Sequence, residues 1–171
     1  MKGQKALFSK ASDEWETPKW LFDLLDNEFH FDYDLACTHQ NCKCKNGVFS
    51  PEQDALIFPW RWLAVRSIVG FLNPPYSKIA AFMKKAYEES LKGAVVVCLI
   101  PCRTDTRYWH DYVMKAQEIR FVKGRLKFNG GSCGAPFPSC VVIFNNKGVA
   151  EFLENPYYPE IGETIETNKK E

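Results

Sequence analysis

One stretch, Gly93 to Pro101, limits the fold more than any other: between its ends Ala94, Val95, Val96, Val97, Cys98, Leu99 and Ile100 follow one another without a polar break. A strand with one wetted face alternates apolar and polar residues. A strand that is apolar throughout must be covered on both faces, as in parallel sheets flanked by helices. Shortly before it, residues 67–72 (Ser67, Ile68, Val69, Gly70, Phe71, Leu72) read as a second strand. Between the two, Ile79, Phe82, Met83, Ala86 and Tyr87 recur at helical spacing, with Lys and Glu on the opposite face. Ser77 is placed to cap that helix and Gly93 to end it. Strand, helix and strand within about thirty residues predict a right-handed βαβ unit.

The other elements extend this unit. Thr17 is placed to cap, and Pro18 to open, an amphipathic helix that begins Lys19, Trp20, Leu21, Phe22. Residues 29–36 alternate before losing pattern, a short strand whose end carries Asp34. A helix is expected from a Thr104 or Asp105 cap through about Ala116, strands over 118–122 and 139–144, and a turn with a short strand over 124–128. Residues 37–55 and the Gly- and Pro-rich 129–138 read as loops. The expectation is an α/β fold: one compact domain over residues 13–145, with a mostly parallel central sheet flanked by helices. A loose arm over 1–12 precedes it, and a peripheral polar tail over 146–171 follows.

Ligands of open α/β sheets lie outside the carboxyl ends of the strands. Three segments fall there: Asp34, then Asn73-Pro74-Pro75-Tyr76, then Pro101 through Arg103, Thr104 and Asp105. Proline gives no N–H to a ladder, and the residue before it is driven out of the helical region, so Asn73 to Tyr76 must leave the sheet extended and rigid. That frees two acceptors, the Asn73 side-chain carbonyl and the Pro74 backbone carbonyl, beside the Tyr76 ring. An amino group on a flat ring would fit; the plainer reading is a turn that only stops strand pairing.

Composition narrows the class. A chain of 171 residues, 46% of them hydrophobic, has one real core and no room for a second full domain. No apolar run approaches the ~20 residues of a membrane span, and the polar start lacks a signal peptide's apolar stretch, so a cytoplasmic protein with no membrane partner is expected. The net charge of +1 carries no global nucleic-acid signature, which leaves only a local basic face. Cys98 and Cys140 lie in strand-like runs and read as reduced, buried small hydrophobes. Cys37, His39, Cys42 and Cys44 fall within eight residues, but their spacing matches no common zinc finger or ribbon, and no metal is expected.

Taken in order, the segments resemble the phage-type DNA N6-adenine methyltransferases, the small Dam-like family carried by prophages. The resemblance covers about residues 13–145 and rests on Trp15, Thr17 and Pro18; Phe31 to Ala36; Phe49, Ser50 and Asp54 to Leu56; Asn73 to Ser77; Pro101 and Arg103 to Thr106; Gly124, Arg125 and Phe128; and Ala135 to Ser139. It implies a Rossmann-like, S-adenosylmethionine-dependent methyltransferase fold, with Asn73, Pro74, Pro75 and Tyr76 as the catalytic motif. Adenine N6 is a poor nucleophile because its lone pair is delocalised into the ring. Hydrogen bonds to Asn73 Oδ1 and the Pro74 carbonyl would hold it toward tetrahedral geometry and stabilise the developing positive charge. Tyr76 would stack on a base flipped from the duplex. The resemblance further implies that Asp34 binds the cofactor's amino group, Asp54 its adenine or ribose, and Trp15, Thr17 and Pro18 its methionine end. The glycine-rich turn of the wider superfamily is absent, replaced by Cys37 to Cys42.

Double-stranded DNA is the implied partner of a monomer or weak homodimer, and protection of phage DNA from restriction the implied purpose. Arg103, Arg107, Lys123, Arg125 and Lys127 would contact phosphates from the same rim, or simply be soluble surface. Groove reading is placed in 129–138 or at Trp60, Arg61 and Trp62. Rival acceptors are cytosine N4, an RNA base or a protein glutamine, and a rival class is a non-catalytic DNA-binding module of the same fold.

Overall fold

In the computed structural model, which describes residues 15–38, 40–44, 55–63, 68–128 and 133–146, Arg61 and Trp62 by their backbone alone, the apolar run becomes β3 (Val95–Pro101), buried at every residue. On one side β3 pairs in parallel with β2 (Val69–Leu72), which pairs in parallel with β1 (Tyr33–Asp34). On the other side it pairs along its whole length with β5 (Ser139–Asn145), which in turn pairs with β4 (Glu118–Phe121), and both of these ladders are antiparallel. The order β1-β2-β3-β5-β4 therefore makes a mixed sheet, not the mostly parallel one expected. Parallel neighbours need a crossover, usually a helix. None occurs among the described residues between β4 and β5, so the chain turns back and β5 fills the place beside β3.

Helices close both faces. α1 (Lys19–Phe29) lays Leu21, Phe22 and Leu25 against Phe71, Val97, Leu99, Val141 and Ile143, together with Leu126, Phe128 and Ala135 from the connection after β4. On the opposite face α2 (Ile79–Leu91) and α3 (Arg107–Asp111) pack Ile79, Phe82, Met83, Ala86, Tyr108 and Trp109 on Leu72, Val96, Cys98, Ile100, Val142 and Phe144. The result is one α/β domain with a five-stranded mixed sheet and three α-helices among the described residues.

Local chemistry moved several boundaries. α1 runs on to Phe29 because Asp26 closes it twice: its carbonyl accepts from His30 N, which sits at φ 54°, and its carboxylate accepts from Phe31 N. That leaves β1 only two residues. α1 starts after Pro18 without a side-chain cap, so the Thr17 hydroxyl is not the cap expected. A 3₁₀ turn, Tyr76–Lys78, precedes α2, whose N-cap is Lys78 and not Ser77; Gly93, at φ 96°, follows its C-cap as expected. The third helix begins at Arg107, not after Thr104 or Asp105, and gives way to a short 3₁₀ turn, Val113–Lys115. Residues 124–128 form no strand, though Leu126 O accepts from Ala135 N at 2.8 Å.

One glycine is required by packing between the first two strands. A Cβ on Gly70 would lie 2.5 Å from Leu35 Cδ1 and 2.9 Å from its Cγ, and Leu35 is wholly buried. Gly70→Val is expected to cost about 1–3 kcal/mol through overpacking. In urea unfolding that appears as a lower midpoint at unchanged m; an unchanged midpoint would show that Leu35 has room to move.

Candidate active site

The topology gathers the chemistry at one end of the sheet. Asp34 ends β1, Asn73 follows β2 and Pro101 ends β3, while antiparallel β5 starts there, opposite Pro101, at Ser139. Asn73 Nδ2 donates to the Trp15 carbonyl at 2.5 Å and to Thr17 Oγ1 at 3.0 Å. Its Oδ1 is buried and has no hydrogen-bond partner among the described residues. A buried acceptor left unmade costs about 1–3 kcal/mol, so such an atom calls for a ligand or water. Pro74, next in the chain, is buried and has no N–H to compete for that acceptor.

Four aromatic rings wall the corner. Trp15 lies nearly parallel to Tyr76, with centroids 6.3 Å apart and planes at 16°. Phe137 meets both edge-on, at 5.1 Å from Trp15 and 5.5 Å from Tyr76, and Phe128 closes the group 5.3 Å from Trp15. Trp15 packs against the cores on both faces of the sheet. The Tyr76 hydroxyl is buried without a partner, and burial pushes its phenol upward. Sequence reasoning gave Phe128 and Phe137 no role. Their signal was their place in the two motifs, Gly124 to Phe128 and Ala135 to Ser139, that flank the connection before β5.

Asp34 is only 4% exposed. Its oxygens accept from Ala36 N at 3.3 Å and Lys43 N at 3.2 Å, so the carboxylate pins the loop that follows it. Desolvation nevertheless raises its pKa to about 6; the two backbone hydrogen bonds and the Lys43 charge oppose the shift without cancelling it. The Lys43 ammonium itself reaches Glu16 Oε1 at 2.5 Å, joining this loop to the Trp15–Pro18 segment and so to Asn73. The same loop brings Cys37 and Cys42 to Asp34, the three donor atoms within 4.8 Å of one another. Closed zinc sites take four donors, and among the described residues no further His, Cys, Asp or Glu joins these three. Burial pushes the Cys37 thiol up, and pushes Cys44 up to about 12.

The cations divide. Arg103 and Arg107 follow β3; Lys123, Arg125 and Lys127 follow β4, which points the same way, so both groups leave the sheet at the site end, and all five are exposed. Arg107 is paired with Asp111 at 3.2 Å. Trp60 is not a surface reader: it is wholly buried and donates Nε1–H to Ala55 O at 2.8 Å, with Lys85 over its ring. Asp54, His39, residues 1–14, 129–132 and 147–171 lie outside the described residues, as do the Arg61 and Trp62 side chains. No helix of the described residues is long and apolar enough to cross a membrane.

Residues 4–171 match the family described as DNA N-6-adenine-methyltransferase (Dam). The chain is 29% identical over 160 residues to the DNA N-6-adenine-methyltransferase of Haemophilus phage HP1 (strain HP1c1), an alignment that covers 87% of this chain and 89% of that protein. It is also 29% identical over 157 residues to the DNA N-6-adenine-methyltransferase of Escherichia phage T1, covering 82% of this chain and 62% of the T1 protein.

With three donors among the described residues of the Asp34 loop, and burial pushing the Cys37 thiol up, purified protein is expected to carry well under one equivalent of zinc by elemental analysis. A full equivalent that disappears in Cys42→Ser would establish a closed site there instead.

Proposed function

The chain belongs to the Dam family of DNA N-6-adenine-methyltransferases, and on that premise we propose that it methylates the exocyclic N6 amine of adenine in DNA. The observation that carries this reading to particular atoms is Asn73 Oδ1: buried, unpartnered, beside Pro74 and walled by rings. It is what an amine acceptor needs to be before substrate arrives. Asn73 Oδ1 and the Pro74 carbonyl accept hydrogen bonds from the two N6–H groups, draw the nitrogen toward tetrahedral geometry and face the positive charge as it develops. No general base is required, since the product nitrogen is acidic enough to lose its proton to water. The rings of Trp15, Tyr76 and Phe137 supply the apolar walls a flipped base demands, with Tyr76 as the stacking partner.

S-adenosylmethionine, when bound, supplies the electrophilic methyl group. Asp34 suits its amino group: the carboxylate is buried, it accepts from two backbone amides, and desolvation holds its pKa near 6, so an arriving ammonium relieves a cost already present. The Trp15–Pro18 segment touches Asn73 at one point and, through Glu16 and Lys43, the Asp34 loop at another, so it lies between the acceptor and the proposed cofactor end. We infer a Rossmann-like methyltransferase fold, and the α/β domain with its mixed sheet is compatible with that reading. Asp54 remains a proposed contact to the cofactor adenine or ribose on resemblance alone. Arg103, Arg107, Arg125 and Lys127 are proposed to hold DNA phosphates along the rim, Arg107 after leaving Asp111.

Three measurements test this. Asn73→Ala is expected to lower methyl transfer at least about a hundredfold, as loss of a transition-state acceptor does, with cofactor affinity by calorimetry kept within a few-fold. Digestion of wild-type-treated DNA followed by nucleoside mass analysis should show N6-methyldeoxyadenosine; methylcytidine alone would overturn the acceptor assignment. The third is pH. Because the charged carboxylate and the ligand's ammonium are the binding forms, affinity for S-adenosylmethionine should be greatest near pH 7, weaken about tenfold per unit below about pH 6, and fall again above about pH 8 as the ammonium loses its proton. Asp34→Asn should be weak and flat across that range.

A further inference from the structure

We propose that Thr17, with the main-chain carbonyl of Trp15, is a positioning element that fixes which end of the Asn73 amide meets the substrate amine. The inference rests on Asn73 being the amine acceptor, and adds a part the acceptor needs. An amide side chain can turn over, exchanging its carbonyl for its NH₂ with little change of shape. Turned over, Asn73 would present N–H groups to an amine that is itself a donor, and the site would be dead. Trp15 O can only accept, and Thr17 Oγ1 accepts at 3.0 Å, so two acceptors converge on one end of the amide and that end must be the NH₂. Oδ1 is thereby aimed the other way, where it has no partner among the described residues.

Thr17 is free for this work because it does not cap α1. The N-cap is Pro18 and makes no side-chain hydrogen bond, and Thr17 is itself only 4% exposed. Trp15, whose carbonyl is the second acceptor, is held by ring contacts with Tyr76, Phe128 and Phe137. A further consequence concerns the amide itself. Aspartate at position 73 would keep an acceptor for the amine but set its second oxygen against Trp15 O, which can only accept, while the Thr17 hydroxyl can turn to donate to it. The Trp15 contact holds only while the second oxygen carries a proton, so the carboxyl is held in place best when neutral.

The test compares Thr17→Val, Thr17→Ser, Asn73→Ala and Asn73→Asp in the full chain, with kcat and KM for DNA, cofactor affinity by calorimetry, and kcat against pH. Thr17→Val removes the acceptor at nearly constant volume and is expected to lower kcat about tenfold, the worth of one orienting hydrogen bond, with cofactor affinity changed less than about threefold. Thr17→Ser should recover most of that loss. In Asn73→Asp, kcat should fall about tenfold per pH unit above the carboxyl's pKa, where wild type is level. A Thr17→Val enzyme with wild-type kcat, a loss confined to cofactor affinity, or no rescue by serine overturns the positioning role. A level pH profile for active Asn73→Asp overturns it independently, and does so even if Thr17→Val fails to fold. If Asn73→Ala keeps wild-type kcat, it is the acceptor reading that fails; if Asn73→Ala is inactive and Thr17→Val normal, only the positioning role does.

Discussion

Two hydrogen bonds from one amide nitrogen tie the front of the chain to the middle of the sheet, and the site is assembled around that tie. Asn73 Nδ2 reaches back across more than fifty residues of sequence to Trp15 O and Thr17 Oγ1. Without it, Trp15 would lose its registration against Tyr76, and the Glu16–Lys43 pair that links the same segment to the Asp34 loop would have no fixed base. Each bond is worth only about 1 kcal/mol net. Their effect is geometric: a segment with no regular structure of its own is held where three strand ends converge.

The site carries groups that the fold alone would not choose. Asn73 Oδ1 and the Tyr76 hydroxyl are buried with no partner among the described residues, and Asp34 is held in a place that raises its pKa to about 6. A raised carboxyl pKa means the folded protein binds its proton more tightly than the unfolded chain does. That group therefore favours the fold most at low pH, and the advantage is lost as pH rises from near 4 toward 6. A carboxylate kept for stability would show the opposite shift, as Glu89 does: it is wholly buried, yet Lys85 and Lys92 lower its pKa. Both are buried acids, and the contrast separates one with no ion pair among the described residues from one that has two.

The sheet's middle was legible because its signals are local. The apolar run of β3, the helical spacing of α2 and the proline-bound corner at Asn73 each follow from residue type and position, and each lies where expected. What failed was tertiary. Thr17 followed by Pro18 has the pattern of a capped helix start, and nothing within ten residues says that its hydroxyl will serve Asn73 instead. Ser77 and Thr104 were misjudged as caps in the same way: capping chemistry marks where a helix is allowed to start, while packing decides where it does. Phe128 and Phe137 were visible only as letters in motifs, since an aromatic wall built from two ends of one loop has no period to read.

The antiparallel half of the sheet, against expectation, completes the site. In an all-parallel sheet every strand would deliver its C-terminal end to the ligand. β5 runs the other way, so what it brings to that rim is its beginning, Ser139, and the residues just before it, Phe137 and Pro138. Pro138 O accepts from Cys102 N at 2.9 Å, locking the approach to β5 onto the exit from β3, and Phe137 is thereby set edge-on to both Trp15 and Tyr76. A parallel β5 would place Asn145 there instead, and the corner would lose its fourth side. With no helix among the described residues between β4 and β5, it is the residues leading into β5, and not a strand end, that form this wall of the corner.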